Sequence, residues 1–245
     1  MAYSVGQKCL AEFVGTFGLL ASVTGAALFS VGFAGFDPAA RVVLIATSLG
    51  LGVLGMAYAF GDVSGASFNP AITIAQLVNG RIRATEAVLF IVAQLLGGIV
   101  AVGVIAGVAY GNSSLWTVVS GPTVALASQG YSGNGSPYAF SWGSVFLLEV
   151  VLTFFLVIVV LLATRPSSSA KNLAPVGIAL TLLMTNLVAI PVDGASINPA
   201  RSFAPAILSA VFSGDRWAIT QDWLFWIAPI IGGIIAAIVD RALKD

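Results

Sequence analysis

The sequence predicts an all-α membrane protein: six transmembrane helices plus two half-helices that meet at the midplane, built as an inverted internal repeat. Three observations predict it. Of 245 residues, 58% are hydrophobic and only 8% are charged, against about 25% charged in soluble domains, so lipid rather than water must cover most of the surface. The apolar residues fall into long runs separated by short polar breaks. And one motif is written twice: Ser64–Thr73 reads SGASFNPAIT and Asp193–Ser202 reads DGASINPARS, with a shared Gly-Ala-Ser-x-Asn-Pro-Ala core.

A helix needs about 20 apolar residues to cross a bilayer. Runs that satisfy this lie at 8–32, 40–61, 84–109, 142–164, 172–192 and 221–243. Before the first run stands MAYSVGQK, and Glu12 lies just inside it. A cleaved leader would have a purely apolar centre, so this run is expected to be the first membrane helix. Two shorter pieces, 69–79 and 198–211, each open on Asn-Pro. About ten residues make only ~15 Å of helix, half a membrane. They are expected to be half-helices.

Lys and Arg set the orientation. Lys8, Arg81, Arg83, Arg165, Lys171, Arg241 and Lys244 fall on one side of this arrangement, Arg41 and Arg216 on the other, and Arg201 inside. Both termini are therefore expected in the cytoplasm. The stretch 110–141 is rich in Gly and Ser and lacks Lys and Arg, as an external linking loop should. A single domain over 1–245 is expected, with a first repeat 1–110, the loop 110–141 and a second repeat 142–245.

The repeat extends beyond the boxes. Ala11–Phe17 (AEFVGTF) is echoed by Leu148–Phe154 (LEVVLTF), which aligns Glu12 with Glu149, and Ala93–Ala101 (AQLLGGIVA) by Ala228–Ala236 (APIIGGIIA). Three spans per half make the second copy run through the membrane upside down, the arrangement that builds a site at the bilayer midplane. Gly97-Gly98 and Gly232-Gly233 permit close span packing. Each half-helix would present its N-terminus, with Asn69 or Asn198 as cap and Pro70 or Pro199 in the first turn, followed by Ala71 or Ala200. The approaches Gly65, Ala66 and Ser67, and Gly194, Ala195 and Ser196, supply small residues and free carbonyls. Irregular backbone at that depth is tolerated only where it is packed in protein or lines a wet cavity.

With these residues assembled, the chain resembles the aquaporins, the major intrinsic protein family, over essentially its whole length. The six spans, the two Asn-Pro-Ala boxes, Glu12 and Glu149, and Arg201 directly after the second box carry the likeness. AIPV before that box and WLFWIAPIIGGII in the last span are similar to bacterial water channels. The resemblance implies a homotetramer in a prokaryotic cell membrane, each subunit passing water or small neutral solutes. It implies that Asn69 and Asn198 face the pore, and that Glu12 and Glu149 accept hydrogen bonds from the half-helix loops. Gly65, Ala66, Ser67, Gly194 and Ser196 would supply pore carbonyls. Counted from the boxes, the family's filter positions fall at Leu49, Asn186, Ala195 and Arg201. Water-specific members usually carry Phe and His at the first two, so Leu49 and Asn186 depart from the pattern. They leave open a broader pore for glycerol, urea, hydrogen peroxide or ammonia.

Other functions fit less well. Histidine is absent and Cys9 is the single cysteine, which removes the common general base and the usual metal ligands. No catalytic residues, metal or cofactor are expected. A formal net charge of zero gives no footing for nucleic acid. A coupled transporter shares inverted repeats but would carry a titratable residue at the crossing point, and both boxes are neutral there. A structural, junction-forming member would be distinguished by its lack of permeability.

Overall fold

The computed structural model describes residues 3–32, 37–169, 171–214 and 216–243; Lys244, counted above for orientation, lies outside them. The described residues form nine α-helices and no strand. In chain order these are α1 (Val5–Phe29), α2 (Pro38–Ser64), α3 (Pro70–Val78), α4 (Ala84–Tyr110), α5 (Ser113–Val119), α6 (Trp142–Ala163), α7 (Ala174–Asp193), α8 (Pro199–Ser213) and α9 (Trp217–Ala242). Six of them, α1, α2, α4, α6, α7 and α9, are long and apolar enough to span a bilayer.

Local chemistry explains the boundaries. A capping box starts α1, with Gln7 N donating to Ser4 Oγ (3.3 Å) and Ser4 N to Gln7 Oε1 (2.8 Å). Asp37 caps α2 by accepting from Ala39 N and Ala40 N, with Pro38 in the first turn. Both α2 and α7 stop at a glycine in the left-handed region, Gly65 at φ 90° and Gly194 at φ 88°, where a Cβ would be strained. Asn112, whose triplet spells a glycosylation signal, caps the short helix α5 inside the linking loop by accepting from Leu115 N. The last span begins at Trp217, earlier than the apolar run at 221. The Trp217 indole donates to Pro122 O (3.1 Å) and so ties the helix start to that loop.

The two halves pack alike. The most extensive contacts are α1 with α4 and α6 with α9. Gly97 faces the Phe13 backbone and Gly232 the Val150 backbone, so closely that a Cβ on either would overlap the opposing carbonyl. The second glycine of each pair crosses between halves. Gly98 of α4 lies against Ala200 and Ala204 of α8, and Gly233 of α9 against Ala71 and Ala75 of α3. Each half-helix is therefore seated on a span of the other half.

The cations near one end of the bundle are paired. Lys8 Nζ meets Glu86 Oε1 at 3.0 Å, and Arg165 and Arg81 both reach the fully buried Asp240, at 2.7 and 3.5 Å. Arg241 donates to Val78 O at the end of α3. These contacts link both half-bundles at the end where α1 begins and α9 stops.

Candidate functional site

The half-helix tips meet through their asparagines. Asn69 Oδ1 accepts from Ala71 N (2.8 Å) and Asn198 Oδ1 from Ala200 N (3.0 Å), so each caps its own half-helix. Each also reaches across the tips. Asn69 Nδ2 donates to Ile197 O (2.8 Å) and Asn198 Nδ2 to Phe68 O (2.9 Å). Ile197 and Phe68 are the residues immediately before the opposite asparagine, so the exchange is reciprocal. One N–H of each amide remains beyond this bond.

The approaches are held in uncommon backbone. Gly65, Ala66 and Phe68 have φ of 90°, 50° and 47°, and Gly194, Ala195 and Ile197 repeat this at 88°, 58° and 46°. Positive φ costs a non-glycine residue about 1–3 kcal/mol, and for β-branched Ile197 it is a marked exception. Two buried carboxylates hold these turns. Glu12 accepts from Ser67 N (3.0 Å) and Phe68 N (2.8 Å), and Glu149 from Ser196 N (2.8 Å) and Ile197 N (2.7 Å). Ser64 Oγ (2.6 Å) and Gln94 Nε2 (2.7 Å) also donate to Glu12.

A narrow cavity of about 20 Å³ lies at the tips, lined on its polar side by Ala66, Ser67, Asn69, Ser196, Asn198 and Arg201. Leu49, with Leu19, Val53 and Leu182 among others, forms its apolar side. A wider, more open cavity of about 580 Å³ lies beyond it, lined by Arg41, Ser128, Ser136, Gly194 and Arg201 among others. Arg201 borders both, so it stands at the neck between them. Its Nη1 donates to Ala127 O (2.9 Å) in the linking loop.

Of the four filter positions, Leu49 and Arg201 line the narrow cavity, whereas Asn186 and Ala195 line neither. Asn186 is buried and donates to Leu182 O one turn back on its own helix (2.9 Å). Gly65 also lines neither cavity. Pro70, Ala71, Pro199 and Ala200 are buried behind the tips. Sequence reasoning missed three groups. Gln94 and Ser64 complete the Glu12 cluster, and the signal for Gln94 is a lone polar side chain in the apolar run from Ala87 to Ala109. Ala127, which holds Arg201, ends an Ala-Leu-Ala stretch with φ of 41°, 55° and 67°, a turn that those residue types do not announce. Asp193 caps the second approach by accepting from Ala195 N (2.7 Å), a role that its place at the head of the repeated motif does not announce.

The family model described as Major intrinsic protein matches residues 2–240. Aquaporin Z of Photorhabdus laumondii is 39% identical over 239 residues, covering 97% of this chain and 97% of the relative. Aquaporin Z of Rhodopseudomonas palustris is 39% identical over 244 residues, covering 97% and 93%. The solved aquaglyceroporin of Plasmodium falciparum superposes with a TM-score of 0.77 at 20% identity, over 98% of this chain and 97% of that one. That likeness carries the fold.

Proposed function

The chain belongs to the major intrinsic protein family, and from that premise we propose that it is a water channel of the cell membrane that excludes ions and protons. It is a channel-family integral membrane protein, not an enzyme. The observation that carries the finer reading is the reciprocal asparagine pair, which lines the narrow cavity below Arg201.

After capping and cross-bonding, each box asparagine keeps one N–H for the cavity. A water oxygen accepting from both turns its hydrogens outward along the pore. Two half-helix N-termini point at the same place, each about half a positive charge, so a cation meets a barrier while water only reorients. A relay of protons along the file is broken where the central water donates in both directions. The carbonyls of Ala66, Ser67, Gly194 and Ser196 offer acceptors on either side.

The narrow cavity, with Asn69, Asn198 and Arg201 on one side and Leu49, Val53 and Leu182 on the other, suits a single file of water. The aquaporin Z relatives favour water as the solute. Leu49 in place of an aromatic, with Asn186 turned onto its own helix, favours the second reading, a broader neutral-solute pore. Assembly as a homotetramer with cytoplasmic termini follows from the family resemblance and the positive-residue bias.

Stopped-flow light scattering on proteoliposomes decides between the readings. Osmotic water flux well above that of empty liposomes, with glycerol uptake at background, is the expected result. Glycerol entry at a comparable rate would replace the first reading by the second. Absence of both fluxes would remove the channel function.

A further inference from the structure

The two halves differ where the repeat should make them alike, and the differences cluster around one residue. In the first approach, Ser64 Oγ accepts from Ala66 N (3.1 Å) while donating to Glu12 (2.6 Å). In the second, Asp193 occupies the matching place and accepts from Ala195 N (2.7 Å). The caps are equivalent, but an ionised Asp193 has no proton for Glu149. Gln94, the other side-chain donor to Glu12, is matched in the repeat by Pro229, which donates nothing. Ile72, three residues after Asn69, is matched by Arg201. Two neutral donors and an apolar residue in one half thus become a carboxylate, a proline and a guanidinium in the other.

The substitutions make sense together. Asp193 and Glu149 take three successive backbone N–H groups, at Ala195, Ser196 and Ile197. Both hold the loop that runs from Gly194 into the helix carrying Arg201, Gly194 and Arg201 border the same cavity, and all three side chains are buried. Asp193 Oδ2 and Arg201 Nε have no hydrogen-bond partner among the described residues. A buried guanidinium unmatched by negative charge is costly, and so are buried carboxylates without a cation or enough donors. Each side supplies what the other lacks. The first half has no cation at this position and no second carboxylate.

We propose that Asp193 is a further determinant of selectivity, acting from behind the pore wall as the counter-charge of Arg201. This rests on the reading of Arg201 as the cation at the neck of the pore. Asp193 does not touch the permeating solute. It sets how much of the guanidinium's field reaches the cavity, and it becomes an attractor of cations when that guanidinium is removed.

The test compares four proteins in liposomes and planar bilayers: the wild type, Asp193→Asn, Arg201→Ala and the double variant. Asparagine keeps an oxygen for Ala195 N, so Asp193→Asn alone is expected to fold and to pass water within about twofold of wild type. Arg201→Ala is expected to conduct potassium ions, because buried carboxylates then face the pore uncompensated. The double variant is expected to conduct potassium at least about tenfold less than Arg201→Ala, as one of those charges is gone. Equal potassium currents in the single and double variants would overturn the counter-charge role while leaving the filter reading intact. No potassium current in Arg201→Ala would overturn the counter-charge role, and unchanged solute selectivity in that variant as well would overturn the filter reading with it. Should Asp193→Asn fail to fold, Asp193→Ser, which copies Ser64 of the first half, takes its place with the same expectations.

Discussion

Asn69 and Asn198 lock each other's half-helix in place: the Nδ2 of each donates to the carbonyl of the residue before the other, at 2.8 and 2.9 Å. Each amide therefore serves two structures at once, its oxygen closing its own helix and its nitrogen closing the opposite loop. Replacing Asn69 by Ala removes an N-cap worth about 0.5–2 kcal/mol together with the cross-tip bond. Asn198→Ala is expected to cost a similar amount, and the double variant less than the sum, with a coupling of about 0.5–3 kcal/mol. Thermal unfolding of the purified protein in detergent reads all three; strict additivity would mean that the tips do not support each other.

Glu12 and Glu149 hold equivalent loops with unequal help. Glu12 accepts from two backbone N–H groups and from Ser64 and Gln94, whereas Glu149 accepts from Ser196 N and Ile197 N. An amide in place of the carboxylate turns an N–H₂ toward donors, and each buried donor left without an acceptor costs about 1–3 kcal/mol. Glu12→Gln should therefore lower the unfolding midpoint more than Glu149→Gln. The reverse order would show that the Arg201 environment, rather than donor number, sets the loss.

At the helix crossings a methyl group is enough to test the packing. Gly97→Ala and Gly232→Ala force a Cβ into the backbone of Phe13 and Val150, and overpacking of this kind costs about 1–3 kcal/mol. Gly107 lies in α4 with nothing near its missing Cβ. Gly107→Ala is expected to be neutral or stabilising by up to about 1 kcal/mol. Equal unfolding midpoints for the three variants would contradict the close crossing.

Leu49 and Asn186 separate cleanly in transport. Leu49 borders the narrow cavity and Asn186 does not, so Leu49→Ala should raise glycerol uptake relative to water by about tenfold, the effect of relieving a constriction by ~1.4 kcal/mol. Asn186→Ala should leave that ratio within about twofold. Glycerol uptake by proteoliposomes measures both, and a larger effect from Asn186 would place its amide in the conducting path.

Much of this architecture can be read from one chain because its constraints are periodic or repeated. Long apolar runs must be spans, and the doubled Asn-Pro boxes must be short helices with capped tips, as α3 and α8 are. The glutamates were legible because they occupy matched positions in an otherwise apolar setting, where a lone carboxylate needs donors. What escaped is non-periodic. The carbonyl of Ala127 reaches Arg201 from a loop whose left-handed turn is built of alanine and leucine. Asn186 sits at the counted filter position, yet its Nδ2 donates to Leu182 O, a rotamer choice that spacing along the chain does not encode. The role of Asp193 emerges only when the two approaches are compared hydrogen bond by hydrogen bond.

Each half contributes three spans and a half-helix that packs on the other half, so neither could close the tip-to-tip contact alone. A gene encoding a single half would have had to send its product into the bilayer in both directions, so that two copies of opposite topology could pair. Such a product needs flanking cations in near balance, because a strong bias would commit every copy to one direction. In a single chain that carries both halves that restriction is absent, and the arginines and lysines of each half are free to diverge. Lys8 and Arg81 in one half, and Arg165 and Arg241 in the other, gather at one end of the bundle, a distribution open only to a chain that no longer inserts both ways.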